Sequence, residues 1–277
     1  MRFTKKFILL FLMSMYQSGV AHKYVIGHWS GGMGICLSSV LNHLLYCEKE
    51  NLTPVVYWYK SLYWNEHGFN GNTTNAWEYY FEPVSPLRYS RGDRINTYCS
   101  STTCGHFNYY DAQQSKRDLA HTLIKKYIHP NAIVRSKIEQ FYMRHMYGKK
   151  TIGIHIRGTD KYKEEKPVPI SDVVAEALKY ADRETQFFVA TDEQRILDTV
   201  LMLLKGKKVL HYSCYRSEDG RPLHYKVKPS PGQLGEDVIV EMWLMAYCDM
   251  LIHTLSNVSS IPLYINPDLI DIPLRAI

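Results

Sequence analysis

The sequence predicts an α/β protein of two Rossmann-like parallel domains that face each other across a cleft. It opens as strand, glycine-rich turn, helix and strand, the unit of a parallel sheet with helical crossovers. The second half alternates strand and helix throughout, as a doubly wound sheet does. Length agrees: 277 residues hold one large or two small domains at roughly 100–200 residues each.

Hydrophobic residues make up 45% and charged residues 22%, a globular balance that excludes a disordered, collagen-like or coiled-coil chain. The formal net charge is +6, and Arg2, Lys5 and Lys6 in the acid-free leader supply half of it. The rest is spread thinly. Nucleic-acid binding needs a concentrated basic stripe, so no nucleic-acid partner is expected. Aromatics reach 13%, with 22 tyrosines, which suits sugar or peptide contact as well as plain packing.

Residues 1–21 have the anatomy of a secretory signal peptide. Residues 1–6 are basic, residues 7–15 are apolar apart from Ser14, and Ser18-Gly-Val-Ala21 offers small residues for a cut after Ala21. A signal-anchor or an upstream extension fits the same residues. The apolar run is well short of the ~20 residues of a membrane span, and no later stretch reaches that length. The expected location is the secretory pathway, in the Golgi or ER lumen or outside the cell. It becomes cytoplasmic if the extension is no true signal. No membrane span is expected beyond a signal-anchor.

The six cysteines form no CxxC and no Cys/His set with structural-zinc spacing. Cys99 and Cys104 lie in a Ser/Thr/Gly-rich loop and could close a small disulfide in an oxidising compartment. Cys36 and Cys248 sit in apolar helical patterns, as small buried hydrophobes do. Asn51, Asn72 and Asn257 head glycosylation sequons.

The first domain, 22–148, begins with a strand at 24–27. The turn Ser30-Gly-Gly-Met-Gly34 leads into a helix over 35–49, with Leu37, Val40, Leu41, Leu44 and Leu45 at helical spacing. A strand at 54–58 follows. Residues 60–110 lack periodicity and read as an irregular insertion. Pro130 separates helices over 115–128 and 131–146, and Gly148-Lys-Lys150 is a hinge. In the second domain, 149–277, strands at 151–157, 186–191, 208–212 and 250–254 alternate with helices at 171–181, 193–204, 236–248 and from 257. Two such domains in tandem make the GT-B architecture of many glycosyltransferases.

Ligands of an open parallel sheet bind outside the carboxyl ends of its strands. In Thr151-Ile-Gly-Ile-His-Ile-Arg157, Gly153, His155 and Arg157 share one face, so a His and an Arg arrive together where a buried strand should end apolar. Arginine presents a planar fork that matches phosphate oxygens; an Arg157–Asp160 surface pair is the plainer alternative. Asp192 ends the next strand and either accepts from a base or ribose or caps the following helix. Glu241 lies in a helix that is apolar almost all round, and a buried carboxylate there needs a partner, either ligand or protein. Ser256 and Asn257 start a helix whose amides suit phosphate, or they simply cap it. A cation, a carboxylate, a buried carboxylate and an anion cradle together fit a nucleotide diphosphate. The chain has no Asp-x-Asp, no HExxH and no Walker loop, and so no metal-binding residues are expected. Without a GxGxxG fingerprint, an oxidoreductase or methyltransferase reading is also unsupported.

His155-Ile-Arg-Gly-Thr-Asp-Lys161 resembles the H-x-R-x-T-D-K signature of the alpha-1,6-fucosyltransferases. That superfamily also holds the nodulation and protein O-fucosyltransferases. Ala190-Thr-Asp-Glu193 resembles its second motif, and Val238 to Asn257, with Glu241, Asp249 and Ser256, its third. The motifs keep the family's order across 151–262, while 22–148 matches loosely. The resemblance implies that Arg157 holds the diphosphate with His155 assisting. It implies that Val238 and Glu241 contact the guanosine and that Ser256 and Asn257 seat the phosphates. Lys161 and Glu165 fall where the family's proposed base and its partner lie. Glu241 stands where Asp is more usual, and no long stem or SH3-like module of the animal enzymes is expected from these residues. The implied activity is inverting, metal-independent transfer of fucose from GDP-fucose to a glycan or glycoprotein hydroxyl. Arg157, Lys161 and Glu165 are its catalytic residues, and the donor substrate is needed without further cofactor. The alternative is a non-catalytic nucleotide-sugar or glycan-binding protein of the same fold.

Overall fold

The computed structural model describes residues 22–28, 30–72, 74–98, 105–159, 166–223 and 229–276. The expected leader, Cys99, Cys104, Lys161 and Glu165 lie outside these described residues. A first parallel sheet has the order β2-β1-β3, from β1 (Lys23–Ile26), β2 (Thr53–Val56) and β3 (Ile95–Asn96), with α1 (Met33–Lys49) as the crossover. The insertion at 60–110 is therefore not wholly irregular. It supplies β3 and a 3-10 turn, Ala76–Tyr79. Two residues are too few for a periodic signal. The pairing is fixed instead by the Gly27 amide donating to the Asn96 carbonyl at 2.8 Å and the Asn96 side chain donating to the Val25 carbonyl at 3.0 Å.

Helices α2 (Gln114–Tyr127) and α3 (Ala132–Phe141) follow, with Pro130 between them and Asn131 capping α3 by accepting from the Ile133 and Val134 amides. The expected helix over 131–146 ends in a π turn, Tyr142–Met146, and Gly148 then adopts φ +68.

The second sheet is parallel, in the order β6-β5-β4-β7-β8. Its strands are β4 (Thr151–Ile156), β5 (Gln186–Thr191), β6 (Lys208–Leu210), β7 (Met250–Thr254) and β8 (Ile270–Leu274). The helices are α4 (Ile170–Lys179), α5 (Gln194–Leu203), α6 (Pro231–Ala246) and α7 (Asn257–Ile265). α6 starts at Pro231 rather than 236, because Ser230 accepts from the Gln233 amide and a proline suits the first helical turn. β8 escaped the sequence reading because Pro273 breaks its pattern; as the edge strand it tolerates the missing amide.

Alternation along β4 divides the core. Ile152, Ile154 and Ile156 pack with Val173, Val189 and Ile196 under α4 and α5. On the opposite face Phe188, Ala190, Leu251 and Trp243 join one continuous core with Leu37, Trp58, Trp77 and Phe81 of the first half. Burying each such large side chain contributes about 1.5–3 kcal/mol. α6 is consequently sunk between the halves. A Cβ at Gly232 would lie 2.5 Å from Phe69 Cγ, and the Tyr80 hydroxyl donates to the Gly232 carbonyl at 3.1 Å. Asn70 and Lys137 both bind the fully buried Glu236 carboxylate. Residues of the insertion thereby fix the helix that carries Val238. Among the described residues no helix is long and apolar enough to cross a membrane.

Candidate active site

Beyond the carboxyl ends of β1, β4, β5 and β7 lies a cavity of about 370 Å³, the scale of small-ligand pockets. The first half contributes the turn from Ser30 to Gly34, Tyr63 and Tyr109. The second contributes Arg157, Thr159, Asp192, Leu234, Val238 and Ser256 to Val258.

Arg157 enters this space because it is the residue immediately after β4, on the face away from the isoleucines. Its amide donates to the Thr254 hydroxyl of β7 at 3.0 Å, which fixes the backbone. Its Nε lies 3.2 Å from the Asp192 carboxylate. Asp192 also accepts from the Gly158 amide at 2.7 Å and the Thr159 hydroxyl at 2.8 Å. Thr159 is held at φ +36, costly for a β-branched residue, with Glu193 accepting from its amide at 3.2 Å. A Cβ at Gly158 would lie 2.7 Å from both Glu193 Oε2 and Ile196 Cδ1. Asp192 is thus the strap of the arginine turn. It does not cap α5, whose N-cap position is Glu193 with no side-chain cap.

Opposite Arg157 two helix starts meet. A Cβ at Gly34 would lie 2.5 Å from the Asn257 carbonyl carbon and 2.6 Å from the Val258 nitrogen, so only glycine lets α1 touch α7. Neither helix has an acid in its first turn, which leaves both partial positive ends facing one space. The Ser256 hydroxyl accepts from the Ser259 amide and the Ser259 hydroxyl accepts from the Ser256 amide, each at 3.1 Å. This capping box commits Ser256 to the helix while the residue still lines the cavity. Asn257 and Val258 line it beside Ser256.

Two expected residues fall elsewhere. His155 is only 4% exposed and does not line the cavity. It sits one alternation below Arg157, beside its register partner His253. Burial, then the charges of His253 and Arg157, push its pKa down to about 3, and it is therefore neutral. It lies beneath Arg157, outside the residues that line the cavity. Glu241 does not reach the cavity either. Arg216 holds it at 2.9 Å and the Cys214 thiol donates to it at 3.3 Å. The internal salt bridge is the partner this carboxylate finds, and burial pushes its pKa up to about 7 against the pull of Arg216.

A second cavity of about 540 Å³ shares Arg157 and Thr159 and is otherwise lined by second-half residues, including Lys166, Arg195 and Arg221. Among the described residues no group of three or more His, Cys, Asp or Glu is placed to hold a metal ion.

No protein-family model matches the chain. Nodulation protein Z of Sinorhizobium fredii is 24% identical over 290 residues, covering 83% of this chain and 86% of that protein. NodZ alpha-1,6-fucosyltransferase soaked with GDP-fucose superposes with a TM-score of 0.55 at 17% identity, over 88% of this chain and 93% of that one. Fucosyltransferase NodZ from Bradyrhizobium gives 0.54 at 16% identity, over 88% and 92%. POFUT1 in complex with GDP gives 0.55 at 9%, over 91% and 98%. The chain shares the GT-B fold of these fucosyltransferase structures.

Among the cavity residues that the sequence does not single out are Leu234, Thr159 and Tyr63. Leu234 stands one helical turn before Val238 and was readable once α6 is extended to Pro231. Thr159 carried only the signal of its place in the arginine turn. Tyr63 lies in the aperiodic insertion and gave none; it is buried, and burial raises its phenol pKa, keeping it a neutral donor.

Proposed function

We propose that this protein transfers fucose from GDP-fucose to a hydroxyl of a glycan or glycoprotein, with inversion at the anomeric carbon. The observation that carries the reading is Arg157, delivered by β4 into a cavity whose far wall is the joined starts of α1 and α7. A diphosphate there would meet a guanidinium fork on one side and helix ends on the other. Leu223, Leu234 and Val238 offer an apolar wall for the nucleoside. The nodulation and POFUT1 structures with GDP-fucose or GDP support the choice of donor.

In the proposed step the acceptor oxygen bonds to the anomeric carbon as the bond from that carbon to the β-phosphate oxygen breaks. Negative charge grows on the departing GDP, and Arg157 and the helix amides stabilise it. The acceptor proton passes to a general base, the role that the motif resemblance gives Glu165, while Lys161 of the same motif would offset the charge on the departing GDP. The test is a donor screen by GDP release, repeated with Arg157→Ala. Turnover confined to GDP-fucose and lost in the variant supports the reading. Turnover at the wild-type rate in the folded variant refutes it.

A further inference from the structure

The end of the second sheet opposite the Arg157 cavity carries a surface that the proposed reaction does not use. There α5 turns Ile196, Leu197 and Val200 into the core, and Leu204 just after it is buried with them. Leu201, Met202 and Leu203 fall off that face and are exposed, Met202 at 67%. Three consecutive apolar side chains in water are a fault in a soluble surface unless something covers them.

The turn into β6 follows at once, with Lys205, Lys207 and Lys208 exposed. Its shape is fixed. The Lys205 amide donates to the Met202 carbonyl at 3.3 Å, the Lys207 amide donates to the Leu204 carbonyl at 2.9 Å, and Gly206 between them takes φ +87. Strand register carries the charge along the rim. Lys208 pairs with Gln186, and Gln186 pairs with Thr151, the residue after Lys149-Lys150. The Lys208 and Lys149 ammonium groups adjoin, and partial desolvation, then that like charge, hold the Lys208 pKa below its ordinary value. Lys150 is taken by Asp182 at 2.7 Å. Among the described residues Lys149, Lys205, Lys207 and Lys208 have no ion-pair partner.

A nucleic acid would satisfy these lysines and leave the apolar run wet. An anionic lipid surface satisfies both at once, with ammonium groups at the headgroup phosphates and the Leu201, Met202 and Leu203 side chains at the acyl boundary. We propose that this rim docks the protein on an anionic bilayer. β4 is six residues long, so at about 3.3 Å per residue the Arg157 cavity stands roughly 20 Å from the rim. Docked in this way, the protein holds that cavity at the far end of the sheet from the lipid. The docking surface stands independently of the transferase reading.

The test is sedimentation of the full chain with vesicles of phosphatidylcholine alone and of phosphatidylcholine mixed with phosphatidylglycerol, with polyuridylate binding measured alongside. Binding should be confined to the anionic vesicles and should fall as salt is added. Each lysine near such a surface contributes roughly fivefold, so the triple variant Lys205→Gln, Lys207→Gln, Lys208→Gln should bind roughly 100-fold more weakly. Met202→Ser should weaken binding at low and high salt alike, and neither variant should change the melting temperature. Failure to bind anionic vesicles, or equal binding to neutral ones, overturns the proposal. Wild-type binding by the folded triple variant also overturns it and places the contact elsewhere in the chain. Tighter binding to polyuridylate than to vesicles, lost in the triple variant, assigns the rim to nucleic acid instead.

Discussion

Arg216 closes on Glu241 inside the second half, 2.9 Å apart, with only 3% and 11% of their side chains exposed. The pair joins the loop after β6 to the middle of α6, next to the turn of helix that presents Val238. Removing one partner of a buried ion pair strands the other only where that group cannot neutralise. Glu241, its pKa already pushed up to about 7, takes a proton once Arg216 is gone, whereas Arg216 keeps its charge. Arg216→Ala is therefore expected to cost about 1–3 kcal/mol in urea unfolding, and Glu241→Ala, which leaves the guanidinium buried without a counter-charge, about 3–5 kcal/mol. Unchanged stability in Arg216→Ala would show the pair to be solvated in solution.

Gly34→Ala probes the contact between the starts of α1 and α7. The new methyl would meet backbone atoms of Asn257 and Val258, which cannot rotate away as a side chain can. The expected cost is about 1–3 kcal/mol, together with a smaller GDP-induced rise in melting temperature. A variant that melts like the wild type and responds fully to GDP would contradict this packing.

His155 predicts a pH dependence. Its folded pKa of about 3 lies below the ordinary 6.5, so the unfolded chain binds the proton more readily. Its stabilisation is fully present above pH 6.5 and is lost as pH falls towards 3, at no more than about 1.4 kcal/mol per pH unit. His155→Gln should flatten that part of the unfolding free energy between those limits. Parallel curves for the two proteins would show that the imidazole is not held neutral.

Asp192→Asn should loosen Arg157 without unfolding the turn, since the amide oxygen can still accept from Gly158. Misplacing a positioned group by an ångström costs roughly 100-fold, so kcat/KM is expected to fall by roughly 10- to 100-fold at constant melting temperature. Full activity in this variant would remove Asp192 from the positioning of the arginine.

The second sheet was legible because β4, β5 and β7 are buried on both faces and read as apolar runs between helices of clear period. β3 and β8 were not. The first is two residues long and the second carries Pro273 on an edge, so their pairing is decided by tertiary partners. Arg157 stood out because a charge at the end of a buried strand is anomalous in sequence alone. The partner of Glu241 did not, since Arg216 comes from a polar loop with no periodic relation to α6. For His155, strand alternation gave the correct face but not the depth, and depth separates a buried imidazole from an arginine at the cavity two residues later.

Calorimetric titration of GDP into wild type and Arg157→Ala decides whether Arg157 holds the paired phosphates of a sugar nucleotide, as proposed. Hydrogen bonds to charged groups are worth about 1.5–3 kcal/mol, so the variant should bind GDP at least roughly tenfold more weakly while its circular dichroism and melting temperature stay the same. Equal affinity in the two folded proteins would remove Arg157 from the diphosphate site.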